Sequence, residues 1–492
     1  MRKSGILMHI TSLPGPYGVG TMGKSAFSFV DFLHEAGQSC WQILPLTPTG
    51  YGDSPYQSCS AFAGNHYLID LDKLVEEGLL HTEDLEGIVW YDDQGRVDFG
   101  KQYNNKLAVL RKAYARFQGG EEFDRFLSLS SNWLPDFALF MALKGESGGK
   151  PWLQWEEKLK FRDPDTLWQA RRRLTDEIRF FSFVQFVFHQ QWSALRAYAH
   201  EKGISIIGDV PIYVPLDSCE VWSSPEFFQL DDQLQPTAVA GCPPDAFSAD
   251  GQLWGNPLYN WDKLREDGYG WWLNRLGAAG KLYDVVRMDH FRGFESYWAV
   301  PYGDTNARGG SWIKGPGLEF IRAVQKGLPE LELIAEDLGF LTPEVLQLRD
   351  DSGLPGMKVL EFAFDAREPS EYQPHSYIAN TVCYTGTHDN MTMQQWFEEA
   401  DKEAVEYAVE YLALTESEGY VWGCIRSAMA SVSDLCIVQM QDYLGLGGEA
   451  RMNFPGTLTN CNWTWRAKEG FASAQLAHKI LNMTRLYDRL AK

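Results

Sequence analysis

Three shortages narrow what this chain can be. No apolar run reaches about 18 residues, so no transmembrane helix is expected. Basic residues are few: 44 Lys and Arg stand against 66 Asp and Glu, a formal net charge of −22. Such a field repels polyanions and argues against nucleic acid or an anionic membrane as partner, whereas a neutral substrate is indifferent to it. Paired cysteines are missing as well. The eight cysteines include no CxxC pair, and a chain this long does not need disulfides, so they read as mostly free, buried thiols of a reducing compartment. The N-terminus, MRKSGILMHITSLPG, has no long apolar segment with a small-residue cleavage site. A cytoplasmic protein is expected.

Familiar chemical signatures are absent too. Without HExxH, a His/Cys ligand cluster or an EF-hand loop, the sequence requires no metal. There is no GxSxG nucleophile elbow. GAAGK at 277–281 is half of a phosphate loop without the rest, and GLGG at 445–448 lacks the tight strand-to-helix turn of a dinucleotide site. No cofactor is expected.

What remains is a chain of 492 residues, 45% hydrophobic and 22% charged, long enough for one large domain with insertions or for two or three smaller ones. Eight segments read as short buried strands. They are GILMHI (5–10), CWQILPL (40–46), ISIIGDV (204–210), DVVRMD (284–289), LELIAED (331–337), GMKVLEFAF (356–364), TVCYTG (381–386) and LCIVQM (435–440). Nearly continuous apolar runs mark parallel strands covered on both faces. Helical stretches lie between many of them, such as SAFSFVDFLHEAG and GLEFIRAVQKGLPE. An α/β fold, a (β/α)8 TIM barrel, is expected, with a doubly wound open sheet as the alternative. Two gaps exceed simple connections. Residues 70–180 read as a helical subdomain inserted after the second strand. Residues 215–275, rich in Pro, Gly and aromatics, read as a loop-rich insertion after the third strand that covers the active site. The whole of 1–492 then forms one catalytic domain.

Three of these strand runs end on carboxylates: Asp289, Glu336 and Asp389. In a barrel of alternating strands and helices, all C-terminal strand ends face one mouth. Glycoside chemistry uses such carboxylates, one as proton donor and one as nucleophile. Arg287 and Asp289, two apart on a strand, share a face. The guanidinium is expected to lower the Asp289 pKa and keep a nucleophile charged. Glu336, with apolar neighbours and Asp337 beside it, is expected to have a raised pKa suited to a general acid. His388 and Asp389 follow a Gly-containing bend, where they suit hydroxyl binding and stabilisation of positive charge. The 18 Trp and 22 Tyr fit either a large core or faces that stack on sugar rings.

The chain resembles the amylomaltase, or disproportionating enzyme, family of 4-α-glucanotransferases, relatives of the α-amylase superfamily. The resemblance runs nearly end to end. It rests on ITSLPGPYGVGTMG, WQILPLTPTGYGDSPYQSCSAFAGN, IIGDVPIYV, GCPPDAFSADGQLWGNPLYNW, VVRMDHFRGF, LIAEDLG, LPGMKVLEFAF, YTGTHDN and RMNFPGTLTNCNWTWR. It implies that Asp289 is a nucleophile forming a covalent glucosyl intermediate, Glu336 the general acid/base, and Asp389 a third carboxylate that binds hydroxyls and distorts the ring. It also implies substrate contacts for Arg287 and His388, a wall position for Asp209, stacking for Tyr56, acceptor-side cover from Phe247 and Trp254, and a donor-side hydroxyl ligand in Asp365. The implied reaction is retaining transfer of an α-1,4-glucan segment to the 4-OH of another glucan, with maltooligosaccharides, starch or glycogen as partners. A plastid is the implied location if the source is a plant. A hydrolase with the same carboxylates and a non-catalytic glucan binder are the competing readings. Oligomeric state stays open.

Overall fold

The apolar runs become strands because both of their faces are covered. The computed structural model describes residues 2–244, 249–339, 341–365 and 370–490. Eight parallel strands form one sheet: β1 (Lys3–Leu7), β2 (Cys40–Gln42), β3 (Ser205–Val210), β4 (Val285–Met288), β5 (Glu332–Ala335), β6 (Gly356–Val359), β7 (Thr381–Tyr384) and β8 (Leu435–Gln439). Their order is β6-β7-β8-β1-β2-β3-β4-β5. Leu7, Ile207, Ile334, Val359, Val382 and Ile437 point inward and pack together. Ile6, Trp41, Ile206, Val286, Cys436 and Val438 point outward and join the larger cluster made with the helices. That alternation is the pleat of a strand with both sides dry. The helices expected after the first strand and before the fifth form as Lys24–Glu35 and Gly317–Gly327. The chain is the expected (β/α)8 TIM barrel. Several strands stop earlier than their apolar runs, because the chain turns into buried 3-10 segments at Ile10–Ser12 and Leu360–Ala363.

Between β2 and β3 lie the helices Phe99–Arg116, Glu121–Leu129, Leu134–Glu146, Pro164–Arg173 and Thr175–Glu201. The last is the long one. Phe180, Phe183, Phe188, Trp192 and Leu195 are buried along it, each contributing about 1.5–3 kcal/mol of apolar burial. Its glutamines hold the loop that follows β2. Gln185 accepts from the Gly64 N–H (2.7 Å) and donates to the Gly64 carbonyl (2.9 Å). Gln191 does the same to Asp70, at 2.7 and 3.0 Å. The Phe188 ring lies so close to Gly64 that a Cβ there would meet it at 2.0 Å, so only glycine fits. Trp152 and Trp155 are core residues, 0% and 7% exposed.

A second sheet lies beside the barrel. Gln252–Pro257, Ala238–Cys242, Ser296–Pro301 and Ser311–Lys314 pair antiparallel in that order. Two strands come from the segment after β3 and two from the segment after β4. Among the described residues no helix is long and apolar enough to cross a membrane.

The barrel closes at the β5–β6 seam. There the Ala335 N–H donates to the Pro355 carbonyl (2.9 Å). Asp337, 1% exposed, accepts from the Met357 N–H (2.7 Å) and from Arg349 Nη1 (2.8 Å). The sequence reading placed Asp337 as a like charge beside Glu336; the structure turns it to the opposite face, where it staples the seam. Asp337→Ala would leave a buried N–H and a half-buried guanidinium without this acceptor. Chemical denaturation should show a loss of about 3 kcal/mol, and a change below about 1 kcal/mol would contradict the staple.

Candidate active site

Register brings the first charges together. Asp209 of β3 is paired with Arg287 of β4, and both side chains point inward, as Ile207 and Val285 do below them. Arg287 Nη1 donates to Asp209 Oδ2 (2.6 Å) and to Asp289 Oδ1 (3.0 Å). Tyr56, on the loop after β2, donates its hydroxyl to the same Asp209 oxygen (2.7 Å). The Arg287 and Asp209 side chains are 4% and 0% exposed, whereas Asp289 keeps 27%. The innermost pair is therefore shielded from solvent, and Asp289 is the more open partner of Arg287.

Just past Asp289 the backbone makes a left-handed turn at His290, φ 52°. A side chain in that region is uncommon and is worth a functional explanation. The turn aims the His290 N–H at Glu336 Oε2 (2.7 Å), while the Leu338 N–H reaches Oε1 (2.9 Å). The Glu336 backbone is tied on both sides: its N–H donates to the Met288 carbonyl and its carbonyl accepts from the Phe291 N–H, both at 3.1 Å. The turn after Asp289 thus fixes Glu336 against the nucleophile candidate.

Burial pushes the Glu336 carboxyl well above the usual carboxylate range, and the Asp289 charge adds to the shift against the pull of Arg287. Burial also pushes Asp289 up, with Asp209 and Asp389 adding to it. The expectation that Arg287 would hold Asp289 below its ordinary value is corrected here. The guanidinium makes the contact and pulls downward, but desolvation outweighs it. The two carboxyls titrate as a pair. Only Asp289 has a cation in hydrogen-bond contact, so Asp289 ionises first and Glu336 keeps the proton.

Asp389 arrives from the end of β7, 43% exposed. Its turn is closed by Asn390, whose Oδ1 accepts from the N–H and the hydroxyl of Thr387, at 2.9 and 2.8 Å. His388 Nε2 lies 3.4 Å from Asp389 Oδ1. The His388 ring stacks on Tyr56, centroids 5.1 Å apart and 14° between planes, and leans on Trp463 at 5.8 Å. Burial lowers the His388 pKa against the pull of Asp389. His290 is pushed to about 3 by burial and Arg292. Both rings are neutral.

The structure therefore gathers Tyr56, Asp209, Arg287, Asp289, Glu336, His388 and Asp389 at one barrel mouth. Trp254 joins through His290, which it meets edge to face at 4.8 Å. Asp365 is partly exposed just past the turn Leu360–Ala363. Phe247 lies outside the described residues. Sequence reasoning gave no role to Arg451, Asn453 and Trp463, although all three stand in its quoted C-terminal motif. Asn453 Nδ2 donates to Asp389 Oδ1 (2.6 Å), Arg451 Nη2 donates to the Asp389 carbonyl (2.9 Å), and Arg451 Nε donates to the Asn453 carbonyl (2.8 Å). Among the described residues no group of three or more His, Cys, Asp or Glu is arranged to hold a metal ion.

A family model described as 4-alpha-glucanotransferase matches residues 8–472. A 4-alpha-glucanotransferase of Clostridium butyricum is 49% identical over 98% of this chain and 100% of its own length. One from Thermus thermophilus is 47% identical over 99% of each chain. The amylomaltase from Streptococcus agalactiae, solved in complex with acarbose, aligns over 100% of both chains with a TM-score of 0.97 and 42% identity. That of Corynebacterium glutamicum, 20% identical over 99% of this chain and 74% of its own, shares the fold with a TM-score of 0.77. Matched nearly end to end by proteins of one activity, the chain belongs to the 4-alpha-glucanotransferase family and is an enzyme of that type.

Proposed function

We propose that this transferase works by retaining double displacement on α-1,4-glucans, with Asp289 as nucleophile and Glu336 as general acid/base. One observation carries the reading: two carboxyls share a mouth, but only Asp289 touches a cation. Asp289 is then ionised while Glu336 is protonated, the division of labour that glycosyl transfer requires. In the first step an Asp289 oxygen attacks the anomeric carbon and Glu336 gives its proton to the departing 4-oxygen. The donor's glucosyl end becomes an ester on Asp289. In the second step Glu336 takes the proton from an acceptor 4-OH, which attacks the same carbon and releases Asp289. Two inversions give retention. Asp389 and neutral His388 hold ring hydroxyls, Asp209 and Tyr56 form the wall behind them, and Asp365 is assigned to the donor side.

Transfer rather than hydrolysis requires that acceptor, not water, meets the intermediate. The matched relatives named above carry transferase and amylomaltase names, which sets the hydrolase reading aside. Trp254, held against His290 beside the proposed nucleophile, is assigned the stacking of the acceptor ring and the exclusion of water, and Phe247 is assigned to the same acceptor side. Maltooligosaccharides, starch or glycogen are the proposed substrates; acarbose, held by the Streptococcus agalactiae relative, is a competitor for the same cleft. A cytoplasmic location is favoured by eight free thiols, and a plastid by the 40% identical Arabidopsis thaliana relative named as chloroplastic/amyloplastic. The net charge of −22 disfavours nucleic acid and anionic membranes.

Incubated with maltotriose, the wild type should give glucose and a ladder of longer oligomers. Asp289→Ala should lose this activity by roughly 10⁴-fold or more. Glucose and maltose alone would mean hydrolysis, and an active variant would remove Asp289 as nucleophile. Isotope-edited infrared titration of labelled glutamate addresses the charge division. Asp289→Asn removes the like charge, so Glu336 should lose its proton at lower pH than in the wild type; an unmoved Glu336 would show that the Asp289 charge does not help keep the proton on Glu336. Trp254→Ala should raise the hydrolysis-to-transfer ratio ~2- to 10-fold, the equivalent of ~0.5–1.5 kcal/mol of aromatic contact. An unchanged ratio on product analysis would clear Trp254 of water exclusion.

A further inference from the structure

A small cavity lies where β1 and β8 open into the mouth. Its polar lining includes His9, Ser12, His388, Gln439 and Gln441, and Leu44 and Met452 close it. It is about the size of one water molecule, and a buried water needs two to four polar partners. Ser12 is 0% exposed and its hydroxyl oxygen has no hydrogen-bond partner. A buried hydroxyl left so costs free energy unless something in the cavity meets it.

His9 stands two residues past β1, 6% exposed. Its Nδ1 lies 3.2 Å from the Leu44 backbone nitrogen and accepts that N–H. An accepting ring nitrogen carries no proton, so in the neutral ring the proton sits on Nε2. Burial, with His388 nearby, pushes the His9 pKa down to about 3, so the ring is neutral at working pH. His9 therefore presents one fixed N–H donor, and no hydrogen bond among the described residues uses it. His388 poses the complementary question. Its Nε2 faces Asp389 at 3.4 Å, an approach that is attractive only if Nε2 bears the proton. Its Nδ1 must then be a bare acceptor.

We propose that His9 is a positioning residue that sets the tautomer of His388. One water in the cavity accepts from His9 Nε2–H and donates to His388 Nδ1, with Ser12 Oγ as a further partner. His388 is thereby fixed with Nε2–H toward Asp389 and toward the hydroxyl of the bound ring. This deepens the proposed function, since it rests on His388 contacting substrate, but the tautomer itself can be read without substrate.

The discriminating substitution is His9→Asn. The asparagine carbonyl can replace Nδ1 as acceptor for the Leu44 N–H, but nothing replaces the Nε2–H donor. If His9 only supports the fold, this variant behaves as wild type. Long-range ¹H–¹⁵N spectra of histidine-labelled free protein should show wild-type His388 as a single Nε2–H tautomer, and His9→Asn as a mixture with Nδ1–H. On maltotriose, kcat should fall ~10-fold, the usual size of losing an orienting partner, with KM and the thermal midpoint little changed. His9→Gln, whose amide reaches the Nε2 position, should recover most of kcat. An Nδ1–H tautomer in wild-type His388 overturns the proposal, as does an unshifted tautomer in His9→Asn. If the tautomer shifts but the wild type has no glucan turnover, the relay stands and the proposed function fails.

Discussion

The site depends on a shortage of positive charge. Four carboxylates, Asp209, Asp289, Glu336 and Asp389, act on one another at one barrel mouth, and one buried guanidinium, that of Arg287, is hydrogen-bonded to two of them. Burying an unpaired charge costs several kcal/mol even after relaxation. With Arg287 the one cation hydrogen-bonded to any of these four carboxylate groups, full ionisation is the most expensive state, and the cheapest relief is to keep a proton. Which acid keeps it follows from contact. Asp209 and Asp289 touch Arg287, and Asp389 is the most open to water. Glu336 is 9% exposed with two neutral N–H donors for partners. The proposed general acid is thus the residue the charge balance leaves behind, and no separate device is needed to protonate it.

Each part of the fold near the mouth can be traced to this arrangement. Adjacent parallel strands in register set Arg287 beside Asp209, and the two-residue period sets Asp289 on the same side. The left-handed turn at His290 gives up backbone comfort to point an N–H at Glu336. The clamp of Arg451 and Asn453, from the segment after β8, ties down the opposite wall, so Asp389 is held by chain far from its own strand. Tyr56, His388 and Trp463 form a continuous aromatic surface across the remaining side, with Tyr56 and Trp463 centroids 5.7 Å apart. The loops supply contact and the barrel supplies alignment, as expected when precise geometry is built on rigid elements.

The barrel was legible because its strands are dry on both faces, which writes them as unbroken apolar runs, and because carboxylates ended three of them. Other features left no comparable trace. The antiparallel sheet beside the barrel joins strands on either side of β4, and its edge Ser311–Lys314 is exposed at all four residues, so neither apolar runs nor local turn signals announce it. Arg451 and Asn453 look like ordinary loop residues, since the distance that gives them meaning spans more than 60 positions of chain. The direction of the Asp289 shift depends on desolvation, which no local sequence reports. Asp337 was misassigned for a simpler reason. Neighbouring residues in extended chain face opposite ways, so an acid beside Glu336 in sequence is turned away from it in space.

The surplus of negative charge also explains what the mouth is complementary to. A neutral glucan does nothing to offset four acids of which only Asp209 and Asp289 have carboxylates touching a guanidinium, and neutral His388 and His290 add no cation. Charge of the opposite sign appears only as the glycosidic bond breaks and the ring approaches an oxocarbenium ion. The field at the mouth is then satisfied for the first time along the reaction, by the transition state and not by the substrate. Interactions that strengthen only at that point raise the rate instead of tightening the ground state. The same unbalanced acids that weigh against folding are therefore the source of selective stabilisation. A substitution that neutralised one of them would make the resting site easier to bury and the reaction harder to drive.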